Sequence, residues 1–259
     1  MGQIVSFHSF RGGTGKSNIT ANLAAQIALA GKRVGVVDTD IQSPGIHVLF
    51  GLNEAKMGHT LNEFLRGECT IEEVAFSIGD NPTDAQGRKK LAGMDLWLIP
   101  SSINSGEISK ILKESYDPNL LNEGLQTLIK NMELDYLFID THPGLNEETL
   151  LSIAISDVLI ILLRPDRQDF QGTAVTVDIA RLLDVPNLYL LMNIALTKFD
   201  FDYLKKQMEE AYNSAVAGVL PLSEDLVELG SADIFSLYKP DHLWSQTIAR
   251  VAQMIMDTH

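Results

Sequence analysis

The run Phe10-Arg11-Gly12-Gly13-Thr14-Gly15-Lys16-Ser17 follows directly on the apolar stretch Ile4-Val5-Ser6-Phe7 and leads into a segment of small and apolar residues, Ser17 to Ala30, stopped by Gly31. Glycines at this density let successive backbone N–H groups turn inward as an anion-binding concavity. A lysine beside them reaches phosphate as a point charge, and a serine at the start of a helix offers its hydroxyl to a cation. The arrangement requires a strand, a tight turn and a helix in that order, so the chain is constrained to a layered α/β architecture built around the turn.

The rest of the chain repeats that alternation. Apolar runs that predict strands stand at Val34 to Val37, Leu96 to Ile99, Tyr136 to Ile139, Val158 to Leu163, Leu188 to Met192 and Val219-Leu220. Helical patterns lie between them near 105–132, 146–155, 168–183, 199–212 and 241–257. Strands apolar on both faces belong to a mostly parallel central sheet flanked by helices on both sides. No repeat or linker interrupts the series, so a single domain over 1–259 is expected; the polar stretch Gly79 to Leu91 reads as a loop within it.

Composition narrows the function classes. A net charge of −14 repels phosphate backbones and anionic lipid unless basic residues cluster locally. The candidates for such a patch are Arg88-Lys89-Lys90, Lys205-Lys206 and Arg164 with Arg167, which makes nonspecific DNA binding a weaker expectation. One cysteine, Cys69, excludes a disulfide framework or a multi-cysteine cluster site within one subunit. With no secretory signal pattern and no apolar run near ~18 residues, a cytoplasmic protein without membrane insertion is expected. The apolar stripe of Leu243 to Val251 carries only Arg250 opposite it and reads as a last helix packed on the sheet.

Two acid segments add chemistry to the loop. The second strand ends Val37-Asp38-Thr39-Asp40, where a period of two sends Asp38 and Asp40 to one side. Tyr136-Leu137-Phe138-Ile139-Asp140 is a hydrophobic strand ending in an acid, the Walker B arrangement that holds a magnesium-bound water, and Thr141-His142-Pro143-Gly144 follows it. ATP hydrolysis needs positioned water, magnesium and positive charge on the γ-phosphate, with no covalent nucleophile and no imidazole, so His142 reads as a surface or packing residue.

The loop has Phe10 where the common phosphate-loop pattern has glycine, and it has Gly12-Gly13 instead. In this it resembles the deviant Walker A loop, Lys-Gly-Gly-x-x-Lys-[Ser/Thr], of the MinD/ParA family of P-loop ATPases, with Arg11 in place of the leading lysine. The resemblance implies the P-loop NTPase fold, ATP and Mg²⁺ as ligands, and a homodimer formed on ATP binding in which Arg11 reaches the partner's nucleotide. It assigns Gly12, Gly13, Thr14, Gly15, Lys16, Ser17 and Asn18 to the phosphates, Ser17, Asp38 and Asp140 to magnesium, and Asp40 to the attacking water. Lys16 and Arg11 supply catalytic charge, the Gly144 amide senses the γ-phosphate, Asn193 recognises adenine, and the loop from Pro221 and Leu222 closes over the base. The implied function is an ATP-hydrolysing switch that positions or regulates cellular cargo in division, chromosome or plasmid partition, or organelle placement, with a protein cargo or adaptor activating hydrolysis. The alternatives are a P-loop kinase, an iron–sulfur carrier, which a lone Cys69 argues against, and a nucleotide-dependent adaptor with negligible hydrolysis.

Overall fold

The apolar runs become strands β1 (Gln3–His8), β2 (Val34–Asp38), β3 (Phe76–Ser77), β4 (Leu96–Ile99), β5 (Tyr136–Asp140), β6 (Val158–Leu163), β7 (Asn187–Ala195) and β8 (Ala215–Pro221) in a computed structural model that describes residues 2–81, 85–114 and 116–258. They form one sheet in the order β3-β4-β2-β5-β1-β6-β7-β8. All neighbours are parallel except β3 and β4. The central strands are buried over nearly their whole length, as a sheet covered on both faces requires.

Alternate residues divide the core. Val5, Phe7, Val36, Phe138 and Ile160 face the helices Lys16–Leu29 and Leu243–Asp257, where Trp244, Ile248 and Ile255 are fully buried. Ile4, Val37, Leu137 and Ile139 face the helix Pro118–Asn131 through Leu121, Leu125 and Leu128. Leu159, Ile161, Leu190 and Met192 pack under the helices Arg167–Leu182 and Phe201–Tyr212. Each such side chain contributes roughly 1.5–3 kcal/mol of burial, which fixes strand register because a one-residue slip would exchange the two faces. That register places Asp38 opposite Asp140, and Phe7 opposite Asp140 on the other side.

Three expectations are corrected. The helical pattern at 105–132 is two helices, Ser105–Glu114 and Pro118–Asn131, because Pro118 disfavours helical backbone before it and Asp117 caps the second by accepting from the Asn119 amide at 2.9 Å. The strand read as ending at Met192 runs to Ala195, with a register irregularity around Ile194, whose φ is 60°. The segment Gly79 to Leu91 contains a 3₁₀ turn at Arg88–Leu91; residues 82–84 lie outside the described residues. Short elements such as Ile46–Leu49, Ile71–Val74 and β3 are too brief to show a period.

Candidate functional site

Between the end of β1 and the helix Lys16–Leu29 the loop is held from three directions. Gly15, with φ +84°, caps that helix, and its carbonyl accepts from the Ile19 amide at 3.0 Å. The Asn193 side-chain amide donates to the Thr14 carbonyl at 2.8 Å, and the Gly144 amide donates to the Ser9 carbonyl at 3.0 Å. The Phe10 ring lies directly on Gly172 of the helix Arg167–Leu182, in space that a Cβ there would fill. An aromatic in place of the usual glycine thereby docks the loop entrance on the neighbouring helix. Gly12 to Asn18 form the floor of a cleft of about 390 Å³, with Asp40, Ser43, His142 and Pro143 opposite.

Lys16 is buried and its Nζ lies 2.8 Å from Asp140 Oδ1. Asp38 is also fully buried, and its carboxylate accepts from the amides of Asp40 at 3.1 Å and Gly45 at 3.2 Å. Burial, then the charges of Asp140 and Asp40, hold the Asp38 carboxyl well above its ordinary range. Asp40 does not share a strand with Asp38, since β2 ends at Asp38. The two acids converge because the Asp40 amide turns back onto the Asp38 side chain, an Asx-type turn and not the strand period. Asp40 Oδ1 accepts from the Ser43 amide at 3.1 Å and from His142 Nδ1 at 2.7 Å.

His8, at the end of β1, is buried beneath the loop. Burial first, then the charges of Lys16 and His142, push its pKa down to about 3. Its Nδ1 lies 3.1 Å from Thr141 Oγ1, which itself donates to the Phe7 carbonyl, so His8 carries its proton on Nδ1 and its Nε2 has no partner among the described residues.

The basic candidates are distributed differently from their reading in sequence. Arg11 donates to the side-chain carbonyl of Gln168. Arg164 is held by Asp169 at 3.0 Å and Asp166 at 3.4 Å, with its guanidinium near Gly13 of the loop, a placement with no local sequence signal. Lys90 donates to the Leu237 carbonyl, Arg88 to the carbonyls of Val48 and Leu49, and Lys205 and Lys206 stand 3.9 Å from Glu209 and Glu210. Lys90, Arg88 and Arg164 are thus engaged by neighbouring carbonyls and carboxylates, while Lys205 and Lys206 lie on the surface beside glutamates that offset their charge.

Asn193 is buried and committed through Nδ2 to the loop, a contact between residues 179 positions apart that no motif announces. The Leu222 amide donates to the Ala195 carbonyl at 2.8 Å, joining the continuations of β7 and β8. A second cleft of about 600 Å³ lies beyond them, lined by Leu196, Thr197, Leu222, Ser223 and His242.

Asp140 is paired with Lys16, Asp38 feels the charges of Lys16, Asp140 and Asp40, and Asp40 faces His142 across the same cleft. Among the described residues no group of three or more His, Cys, Asp or Glu side chains forms a direct metal-ligand set. The donors present instead suit a hard cation held with the nucleotide: the Ser17 hydroxyl and the Asp38 and Asp140 carboxylates are the oxygen ligands that would hold it, directly or through water. The Thr14 hydroxyl, buried with no partner among the described residues, likewise fits an acceptor such as a phosphate oxygen.

The profile of the AAA domain family AAA_31 matches residues 2–192. The flagellum site-determining protein YlxH of Helicobacter pylori is 26% identical over 272 aligned positions, covering 98% of this chain and 82% of that protein. The cell division ATPase MinD of Pyrococcus furiosus superimposes with a TM-score of 0.82 at 21% identity over all of both chains. MinD of Pyrococcus horikoshii, complexed with Mg-ADP, gives 0.80 at 19% identity over 99% of this chain and 97% of that one. With the sheet order, the glycine loop and the two acid-tipped strands in place, the chain belongs to the AAA domain family, among the P-loop ATPases of the MinD/ParA type.

Proposed function

We propose that the protein is a magnesium-dependent ATP hydrolase of the cytoplasm, acting as a single domain over 1–259, that pairs two copies around ATP and separates them on hydrolysis. The observation that carries this reading is the convergence of Lys16, Asp38, Asp40 and Asp140 on one edge of the phosphate loop. In it the amides of Gly12 to Ser17 and the Lys16 ammonium bind the phosphates, while Asn18 closes the first helical turn behind them. Magnesium, when bound with ATP, supplies the positive charge that offsets the β and γ phosphates; Ser17, Asp38 and Asp140 are the residues that would hold it.

Asp40 orients the attacking water, and no side chain forms a covalent bond to phosphate. The Gly144 amide, now donating to Ser9, turns to the γ-phosphate, and Arg11 exchanges Gln168 for the nucleotide of the partner copy. With Nδ2 committed to Thr14, Asn193 offers Oδ1 as an acceptor for the exocyclic amine of adenine, and Pro221 and Leu222 border the base. The names of the similar proteins, which place flagella or take part in cell division, support a switch whose ATP-bound dimer holds a protein cargo or adaptor.

Sedimentation and phosphate release with Mg-ATP test the reading. Asp40→Ala should bind ATP and stay dimeric with turnover reduced at least about 100-fold. Lys16→Ala should form no ATP-induced dimer and, because it leaves Asp140 as a buried charge without a partner, should lose on the order of 3–5 kcal/mol of stability. An ATP-induced dimer in Lys16→Ala would contradict the assignment, and a wild-type protein that dimerises without turnover would point to an adaptor.

A further inference from the structure

The bond between His142 and Asp40 joins two segments that the function assigned above treats separately. The Asp40 turn is anchored to β2 through the Asp38 carboxylate. The segment after β5 is anchored to β1 and the loop by Thr141, whose hydroxyl donates to the Phe7 carbonyl at 2.8 Å, and by Gly144, whose amide donates to Ser9 at 3.0 Å. His142 lies between those two anchors and reaches across at 2.7 Å. Both side chains are largely shielded, at 22% and 14% exposure.

A carboxylate accepts but does not donate, so His142 Nδ1 carries the proton in this bond. Oδ1 of Asp40 then receives two N–H groups, from His142 and from the Ser43 backbone, and Oδ2 receives none among the described residues. A terminal carboxylate torsion is broad and two-fold, so the Ser43 amide alone restrains Asp40 from within its own turn, and the second donor from His142 narrows the torsion further. Restricting that torsion is what the orientation of a water nucleophile requires.

We infer that His142 is a positioning residue for hydrolysis, its Nδ1–H fixing Oδ1 of Asp40 so that Oδ2 is the oxygen presented to the attacking water. The inference rests on the reading that Asp40 orients that water. Because Thr141, beside His142, keeps its bond to the Phe7 carbonyl when the Gly144 amide turns to the γ-phosphate, the orientation of Asp40 is referenced to the strand that enters the loop and not only to its own turn.

The test combines four variants of the full chain, with kcat and KM for ATP, ATP affinity and ATP-induced dimerisation read for each. His142→Ala should lower kcat about 10- to 30-fold while KM, ATP affinity and dimer formation change less than about two-fold. His142→Asn, which carries an N–H donor where Nδ1 stands, should recover most of that loss and also guards against a folding defect in the alanine variant. Asp40→Ala with His142→Ala should be no slower than Asp40→Ala alone, since the two act as a unit. Unchanged or faster turnover in His142→Ala while Asp40→Ala is inactive overturns the inference and leaves the function of Asp40 intact. A double variant clearly slower than Asp40→Ala, or no recovery by asparagine, overturns it as well. Wild-type turnover in Asp40→Ala removes the premise, and the inference falls with it.

Discussion

The Asn193 side-chain amide sits under the phosphate loop so closely that it bonds the Thr14 carbonyl at 2.8 Å and would stand 2.5 Å from a Cβ on Gly15. Two chain segments whose strands, β7 and β1, are not neighbours in the sheet therefore meet in one small contact. Gly15 also holds a φ of +84°, which costs a residue with a Cβ roughly 1–2 kcal/mol by itself. The Gly15→Ala variant should thus lose at least about ten-fold in ATP affinity and melt a few degrees lower. In the Asn193→Ala background the obstructing amide is gone, so the double variant should cost less than the two single losses added together. Calorimetric ATP titration and thermal melting of the four proteins check this; strict additivity would show that Gly15 and Asn193 do not constrain each other.

His8 gives the fold a defined acid sensitivity. Its pKa is pushed from 6.5 down to about 3, so the folded protein keeps it neutral where the unfolded chain takes up a proton. Stability from this group is complete above pH 6.5 and falls as the pH drops toward 3, with a slope of about 1.4 kcal/mol per pH unit over the middle of that window. Asp38 has the opposite sign, since its folded value lies above the unfolded one and its protonation favours the fold. Comparing wild type with His8→Gln cancels the Asp38 contribution. Urea unfolding at pH 7 and pH 5 should show a smaller loss on acidification in the variant, and an equal loss in both would assign the acid sensitivity elsewhere.

Much of the fold and part of the candidate site could be read in the amino-acid order, for a physical reason. Strands buried on both faces, such as Val158 to Leu163, must be continuously apolar, and a phosphate loop must compress its glycines, Lys16 and Ser17 into one short segment, so both leave local signatures. The contacts that shape the cleft join distant segments and leave none. His142 and Asp40 are 102 positions apart, and Asn193 and Thr14 are 179 apart. The convergence of Asp38 and Asp40 is legible in the sequence but its cause is not, because a two-residue spacing suits a strand pleat and an Asx turn equally well. The break at Pro118 is masked because the apolar spacing of two successive helices mimics that of one.

If two copies complete each other's sites, two variants that are inactive alone should restore activity when mixed. In a dimer of one Arg11→Ala and one Asp40→Ala subunit, the nucleotide held by the Arg11→Ala subunit has its own Asp40 and receives Arg11 from the partner, while the other site lacks both. Each variant alone should be nearly inactive, and phosphate release from an equimolar mixture should reappear at up to one working site per mixed dimer. If mixed dimers form, as sedimentation of differently labelled subunits would show, and the mixture stays as inactive as its components, Arg11 does not act across the interface and the paired-site account is contradicted.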